Sequence, residues 1–139
     1  MPAPDFSLEN LNGETIHLST FKGKVVYLDF WFGACEPCHK LFVAITPVKE
    51  HFKSNDKVVF LTVSVDNREV WKKSLSKFSI PGYHAFTENK YRDHPIIRDY
   101  NVDGYPTTYL IGKDGKIFNI SPSHTAEELK KEIEAALMQ

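Results

Sequence analysis

Apolar positions in this chain come in strand-length blocks that alternate with stripes of helical period. Val25-Val26-Tyr27-Leu28-Asp29-Phe30-Trp31 is apolar at nearly every position and predicts a central strand covered on both faces. Lys57–Val65 predicts a second such strand. Phe6-Ser7-Leu8 and Thr15-Ile16-His17-Leu18 alternate in polarity around Asn12-Gly13, two residues that tolerate positive φ, and so predict a hairpin. Leu41, Phe42, Ile45, Val48 and Phe52 recur at helical spacing. Pro47 lies inside that stripe, removes one N–H, and predicts a kink near Ala44. Asp66 is placed to cap a helix with Val70, Trp71, Leu75 and Phe78 facing inward. Ser79–His94, with Pro81-Gly82 and no clear period, reads as largely loop, and Pro95–Tyr100 as a short helix. Thr107–Ile111 and Lys116–Ile120 flank Gly112-Lys113-Asp114-Gly115 as a second hairpin. Thr125-Ala126-Glu127-Glu128 reads as a capping box opening a last helix that buries Leu129, Ile133, Ala136 and Leu137.

This order of elements predicts one α/β domain over residues 1–139. Residues 1–24 form an N-terminal hairpin extension and roughly 66–100 a helix-loop insertion. Ten Phe, six Tyr and two Trp supply enough apolar bulk for a core. A net charge of −1 without a Lys/Arg cluster argues against nucleic acid and anionic membrane as partners. The apolar runs are strand-sized, too short to span a bilayer. Met1-Pro2-Ala3-Pro4-Asp5 lacks the basic start and apolar stretch of a signal peptide.

The chemistry concentrates at Cys35-Glu36-Pro37-Cys38, which contains the only two cysteines and follows the first central strand. Two thiols at this spacing, where a buried strand gives way to a helix, read as a dithiol that closes into a disulfide and reopens. The first sulfur sits at a helix N-terminus, whose unpaired N–H groups favour an anion. Lowering a thiol pKa from about 8.5 to about 7 raises the thiolate fraction at neutral pH from a few per cent to about half. Attack on a disulfide needs that thiolate.

Several segments together resemble the thioredoxin superfamily, and within it the TlpA/ResA-like thiol–disulfide oxidoreductases. They are Ala3-Pro4-Asp5-Phe6, the lead-in Leu18-Ser19-Thr20-Phe21-Lys22-Gly23-Lys24-Val25-Val26, Asp29-Phe30-Trp31 before the cysteines, and Gly104-Tyr105-Pro106-Thr107. The likeness covers nearly the whole chain. It implies a thioredoxin fold, a central mixed sheet flanked by helices, with the added hairpin and the insertion after the second central strand. It also implies that Cys35 attacks, that a more buried Cys38 resolves the mixed disulfide, and that a cis Tyr105–Pro106 bond faces the dithiol and leaves the Tyr105 backbone free for a substrate strand. Asp29 matches the buried carboxylate of thioredoxins, suited by desolvation to take the Cys38 proton. Trp31, Glu36 and Pro37 are the remaining candidates for substrate contact, although Trp31 also suits core packing and Glu36 a first-turn acid favoured by the helix dipole. Two places depart from the pattern: Ala34 stands where many relatives have Trp, and Phe32-Gly33 is unusual there. Both bear on partner choice rather than chemistry.

By the same resemblance the redox-active Cys35–Cys38 disulfide suffices without metal or organic cofactor. The partners are protein disulfides and a dithiol electron donor, and nucleic acid is not among them. The chain acts as a monomer in a periplasmic or other extracytoplasmic setting, touching a membrane only through a segment outside this sequence. Glu36-Pro37 resembles the reducing members. Two rival readings remain. A thiol peroxidase shares the fold and lead-in but places a Thr just upstream of its attacking cysteine, where this chain has Gly33-Ala34. Cys35-Glu36-Pro37-Cys38-His39 also formally matches a c-type haem attachment site. Against haem, the only methionines are Met1 and Met138 at the chain ends, and the motif closes a β-strand. A zinc site lacks a second ligand pair of matching spacing.

Overall fold

A computed structural model describes all of residues 1–139. Its centre is β3 (Val25–Trp31), buried at every position, because it is sandwiched laterally and on both faces. β4 (Val58–Ser64) runs parallel to it in the register Val25↔Val58 through Trp31↔Ser64, and β6 (Thr107–Ile111) runs antiparallel on the other side. With β1 (Ser7–Asn10), β2 (Thr15–His17), β5 (Tyr83–Phe86) and β7 (Ile117–Ile120), the sheet has seven strands in the order β2-β1-β5-β4-β3-β6-β7. The N-terminal hairpin therefore extends the main sheet, joined through β1 and β5.

The alternation along β3 divides the core. Val26, Leu28 and Phe30 pack with Phe6, Leu18, Phe21 and with Ile96 and Ile97 of α4 (Pro95–Asp99). Val25 and Tyr27 pack with residues of α1 (Glu36–Ala44), α2 (Thr46–Phe52) and α5 (Ala126–Leu137). Farther along the same face, Trp31 joins Phe42 of α1 with Trp71 and Leu75 of α3 (Arg68–Phe78). Trp71 in turn stacks on Phe86 at 4.5 Å between ring centroids.

Pro47 does more than kink the helix after the cysteines. Ile45 leaves the helical basin (φ −96°, ψ 3°) and closes α1 while opening α2, so the stripe is carried by two helices. Thr46 Oγ1 donates to Phe42 O at 2.8 Å across the break.

Four expectations need correction. Asp66 does not cap α3; Asn67 does, accepting the Val70 N–H, and Asp66 turns toward Gly33 instead. Val70 and Phe78 lie outside the buried stripe, 43% and 41% exposed, because that stripe is Trp71, Ser74 and Leu75, with small Ser74 admitting the Gly33 loop. The stretch Ser79–His94 contains β5, paired in parallel with β4 from Leu61↔Tyr83 to Ser64↔Phe86. Gly82 (φ +120°) makes this possible: a Cβ there would sit 2.7 Å from Phe60 O on β4. Finally, Thr125 makes no side-chain cap. The entry to α5 is held by Ser123, whose N–H donates to Glu132 Oε1 at 2.7 Å and whose Oγ accepts the Thr125 N–H.

Candidate active site

β3 ends at Trp31, and the chain turns through Phe32-Gly33-Ala34, closed by Cys35 N–H donating to Phe32 O at 3.1 Å. Cys35 is then the N-cap of α1. Its Sγ accepts the Cys38 N–H at 3.2 Å, so the sulfur occupies the place of a capping oxygen among unpaired helix amides. Cys35 and Cys38 are joined as a disulfide, with Cα atoms 5.3 Å apart. Cys38 has no exposed surface and Cys35 only 3%, while Ala34, Glu36 and Pro37 around it are exposed. Glu36 pairs with Lys40 at 3.2 Å, an exposed contact of little energetic weight. Trp31 is completely buried, edge-on to Phe42 and His39, so it is a core residue out of a partner's reach. The Tyr105–Pro106 bond is cis, and both residues are partly exposed at the start of β6.

The turn carrying Cys35 is fixed from outside. Gly33 N–H donates to Asp66 Oδ2 at 2.7 Å, and the same carboxylate accepts the Ser64 hydroxyl at 3.0 Å. His39 Nε2 lies 2.7 Å from Gly33 O, which assigns the proton to Nε2, and its ring stacks on Phe78 at 3.8 Å. The ring nitrogen that haem ligation requires is thus engaged with the turn. Gly33 is required by crowding, since a Cβ there would lie 2.2 Å from Ser74 Oγ and 3.2 Å from Ser74 Cβ. Gly33→Ala should destabilise the protein by about 1–3 kcal/mol. Urea melts of Gly33→Ala, Ser74→Ala and the double variant should return a favourable coupling of at least about 1 kcal/mol; strict additivity would mean the turn relaxes freely.

On β3, six residues before Cys35, Asp29 shares a strand face with Tyr27 and Trp31 and is 1% exposed. Its Oδ1 has no hydrogen-bond partner. Desolvation pushes its pKa up to about 8, against an opposing pull from the Lys49 ammonium. Lys49, on α2, is a site residue that the sequence reading missed. It is itself buried, its Nζ donates to Pro81 O at 3.3 Å and lies over the Phe42 and Phe60 rings, and desolvation pushes its pKa down to about 8. The available signal was a lone lysine between Val48 and Phe52 on an otherwise apolar face.

A disulfide capping a helix, a buried carboxylate on the strand that leads into it and a partly exposed X-Pro strand whose Tyr105 packs on the same apolar cluster define a thiol–disulfide oxidoreductase of the thioredoxin fold. The comparisons agree. The profile of the AhpC/TSA family matches residues 1–120, and the chain belongs to that family. It is 33% identical over 127 residues to the thiol-disulfide oxidoreductase ResA of Bacillus subtilis, covering 91% of this chain and 69% of that one. It is 34% identical over 142 residues to the thioredoxin-like protein YneN of the same organism, covering 97% and 76%. Among solved structures, it superposes on the thioredoxin domain of a thiol-disulfide oxidoreductase from Bacteroides vulgatus with a TM-score of 0.87 at 25% identity, covering 99% of this chain and 96% of that one. For a thiol:disulfide interchange protein from Bacteroides sp. the TM-score is 0.84 at 26% identity, covering 99% and 89%.

Proposed function

We propose that the protein works as a reductase of protein disulfides. The observation that carries this reading is the Cys35 sulfur at the α1 N-cap, bonded to Cys38 and accepting the Cys38 N–H. In the reduced protein the Cys35 thiolate attacks one sulfur of the substrate disulfide. The Cys35–substrate bond forms, the substrate S–S bond breaks, and the departing thiolate takes a proton from solvent. Cys38 then gives its proton to Asp29 and attacks the Cys35 sulfur, closing the Cys35–Cys38 disulfide and expelling the second substrate thiolate. Two electrons pass from the dithiol to the substrate, and another dithiol protein restores them. A carboxyl titrating near 8 is well matched to accept a thiol proton near neutral pH.

Tyr105 and Pro106 form the docking strip, with the Tyr105 backbone pairing an extended partner segment and Glu36 and Pro37 bordering it. No metal or organic cofactor enters the cycle, and the protein acts as a monomer. The resemblance to TlpA/ResA-like proteins supports a periplasmic or other extracytoplasmic setting; no helix of the chain is long and apolar enough to cross a membrane. Any membrane contact is made through a segment outside this sequence.

Measuring the Cys35–Cys38 couple against glutathione buffers tests the direction. A reductase should sit below the glutathione range of about −220 to −260 mV, whereas a value near −120 mV belongs to an oxidant. Hydroperoxide turnover without disulfide reduction would transfer the assignment to a thiol peroxidase.

A further inference from the structure

Of the chain's three arginines, Arg68 pairs with Glu9 and Arg98 with Asp99, but Arg92 has no carboxylate partner. Its placement is nevertheless specific. The guanidinium lies 4.9 Å from the Tyr105 ring centroid and 5.7 Å from that of Phe32, and these rings meet edge-on at 5.5 Å. Both aromatic residues belong to the dithiol surface: Phe32 O accepts the Cys35 N–H, and Tyr105 precedes the docking proline. Arg92 itself is exposed, so the two rings hold a cation that a bound partner can reach. The exposed side chain between Phe32 and Cys35 is only Ala34, and Phe32 and Tyr105 are themselves half-buried against the core. Asp93 and Asp103 line the same open depression, of about 500 Å³, as Arg92, and neither is ion-paired to it. Arg98 also lines it but is paired with Asp99, so Arg92 is the arginine there without a carboxylate partner.

Resting on the reductase reading above, we infer that Arg92 is a specificity-determining residue that pairs with a carboxylate on the bound partner, favouring disulfides whose attacked cysteine has Asp or Glu close by in sequence. The reach is consistent with this. A strand advances about 3.3 Å per residue, so a segment pairing with the Tyr105 backbone carries side chains one or two residues from its cysteine past the neighbouring rim. A carboxylate matches the guanidinium through two parallel N–H···O bonds, whereas a lysine there meets like charge.

The test uses three disulfide-containing peptides identical except for Glu, Gln or Lys two residues from the target cysteine. They are offered oxidised to the reduced protein and reduced to the oxidised protein. The wild type should favour Glu over Lys by about 2–5-fold in kcat/KM, as expected for an exposed ion pair. The ratio should approach one at about 1 M salt, where the Debye length is about 3 Å. Arg92→Gln should erase the preference, Arg92→Lys should keep part of it, and Arg92→Glu should invert it toward the Lys peptide. Inversion separates recognition from a merely structural role, which charge reversal would not turn around. Equal wild-type rates for all three peptides overturn the inference about Arg92 alone, as does a preference that survives in Arg92→Glu. Silence in both directions brings down the oxidoreductase reading and, with it, the inference.

Discussion

Cys35→Ser is expected to abolish insulin reduction, a loss of at least about 1,000-fold, while leaving the fold in place. Thiol–disulfide exchange requires a sulfur nucleophile in its anionic form, and a serine hydroxyl supplies neither the sulfur nor the charge. Unfolding will not account for the loss. The disulfide closes only the four residues Cys35–Cys38, and a loop that short constrains the unfolded chain by about 2 kcal/mol or less. Cys38→Ser should separate the two steps. Cys35 keeps its N-cap position and still attacks, but nothing resolves the product, so the mixed disulfide accumulates and appears in intact mass as protein plus substrate. The roles follow from placement: Cys38, in the first turn of α1, is wholly buried, and Cys35 alone reaches the surface between Ala34 and Glu36. If Cys35→Ser retained turnover, or if Cys38→Ser rather than Cys35→Ser were the dead variant, the assignment would be reversed or lost.

Much of this site was legible in the residues because its parts are local. A dithiol between a saturated apolar strand and a helical stripe announces its own geometry, and Asp29 is conspicuous as the one charge in Val25–Trp31. What could not be read depends on partners distant in sequence. β5 exists because Gly82 lets the chain press against Phe60 of β4; by itself Tyr-His-Ala-Phe after Pro-Gly carries no strand signal. Asp66 looked like a helix cap since Asp commonly is one, but Gly33, 33 residues earlier, offered it an amide at 2.7 Å. Arg92 lies in a stretch without periodicity, and only the meeting of Phe32 and Tyr105 gives it a place. Lys49 shows the same limit in reverse. A helical stripe reveals an interruption in its apolar face, but not that the ammonium sits in the field of a carboxylate on β3.

The Asp29–Lys49 pair gives the second large expected effect, on stability and rate together. In the oxidised protein neither cysteine titrates, so the pair can be followed without them. Asp29 has a folded pKa of about 8 against an ordinary value of 3.8, so the folded state binds its proton more tightly. Its contribution is fully present below about pH 4 and is lost as pH rises toward 8. Lys49 is depressed from 10.5 to about 8; its contribution is present above about 10.5 and is lost as pH falls toward 8. The two limbs place a minimum in the pair's contribution near pH 8. Asp29→Asn should therefore be more stable than wild type at pH 8 by several kcal/mol, because nearly the whole shift from 3.8 to about 8 is lost by that pH at about 1.4 kcal/mol per pKa unit, and the gain should fall close to zero near pH 4. Denaturant melts across this range test it, and a difference that does not change with pH would mean Asp29 titrates normally. The same substitution removes the acceptor for the Cys38 proton. Resolution of a preformed mixed disulfide should slow by about 100-fold, with the wild-type inflection near pH 8 absent. Lys49→Met removes the charge that favours the Asp29 anion, so the inflection should move to higher pH rather than disappear. A buried carboxylate with only a structural role would show the stability effect without the kinetic one.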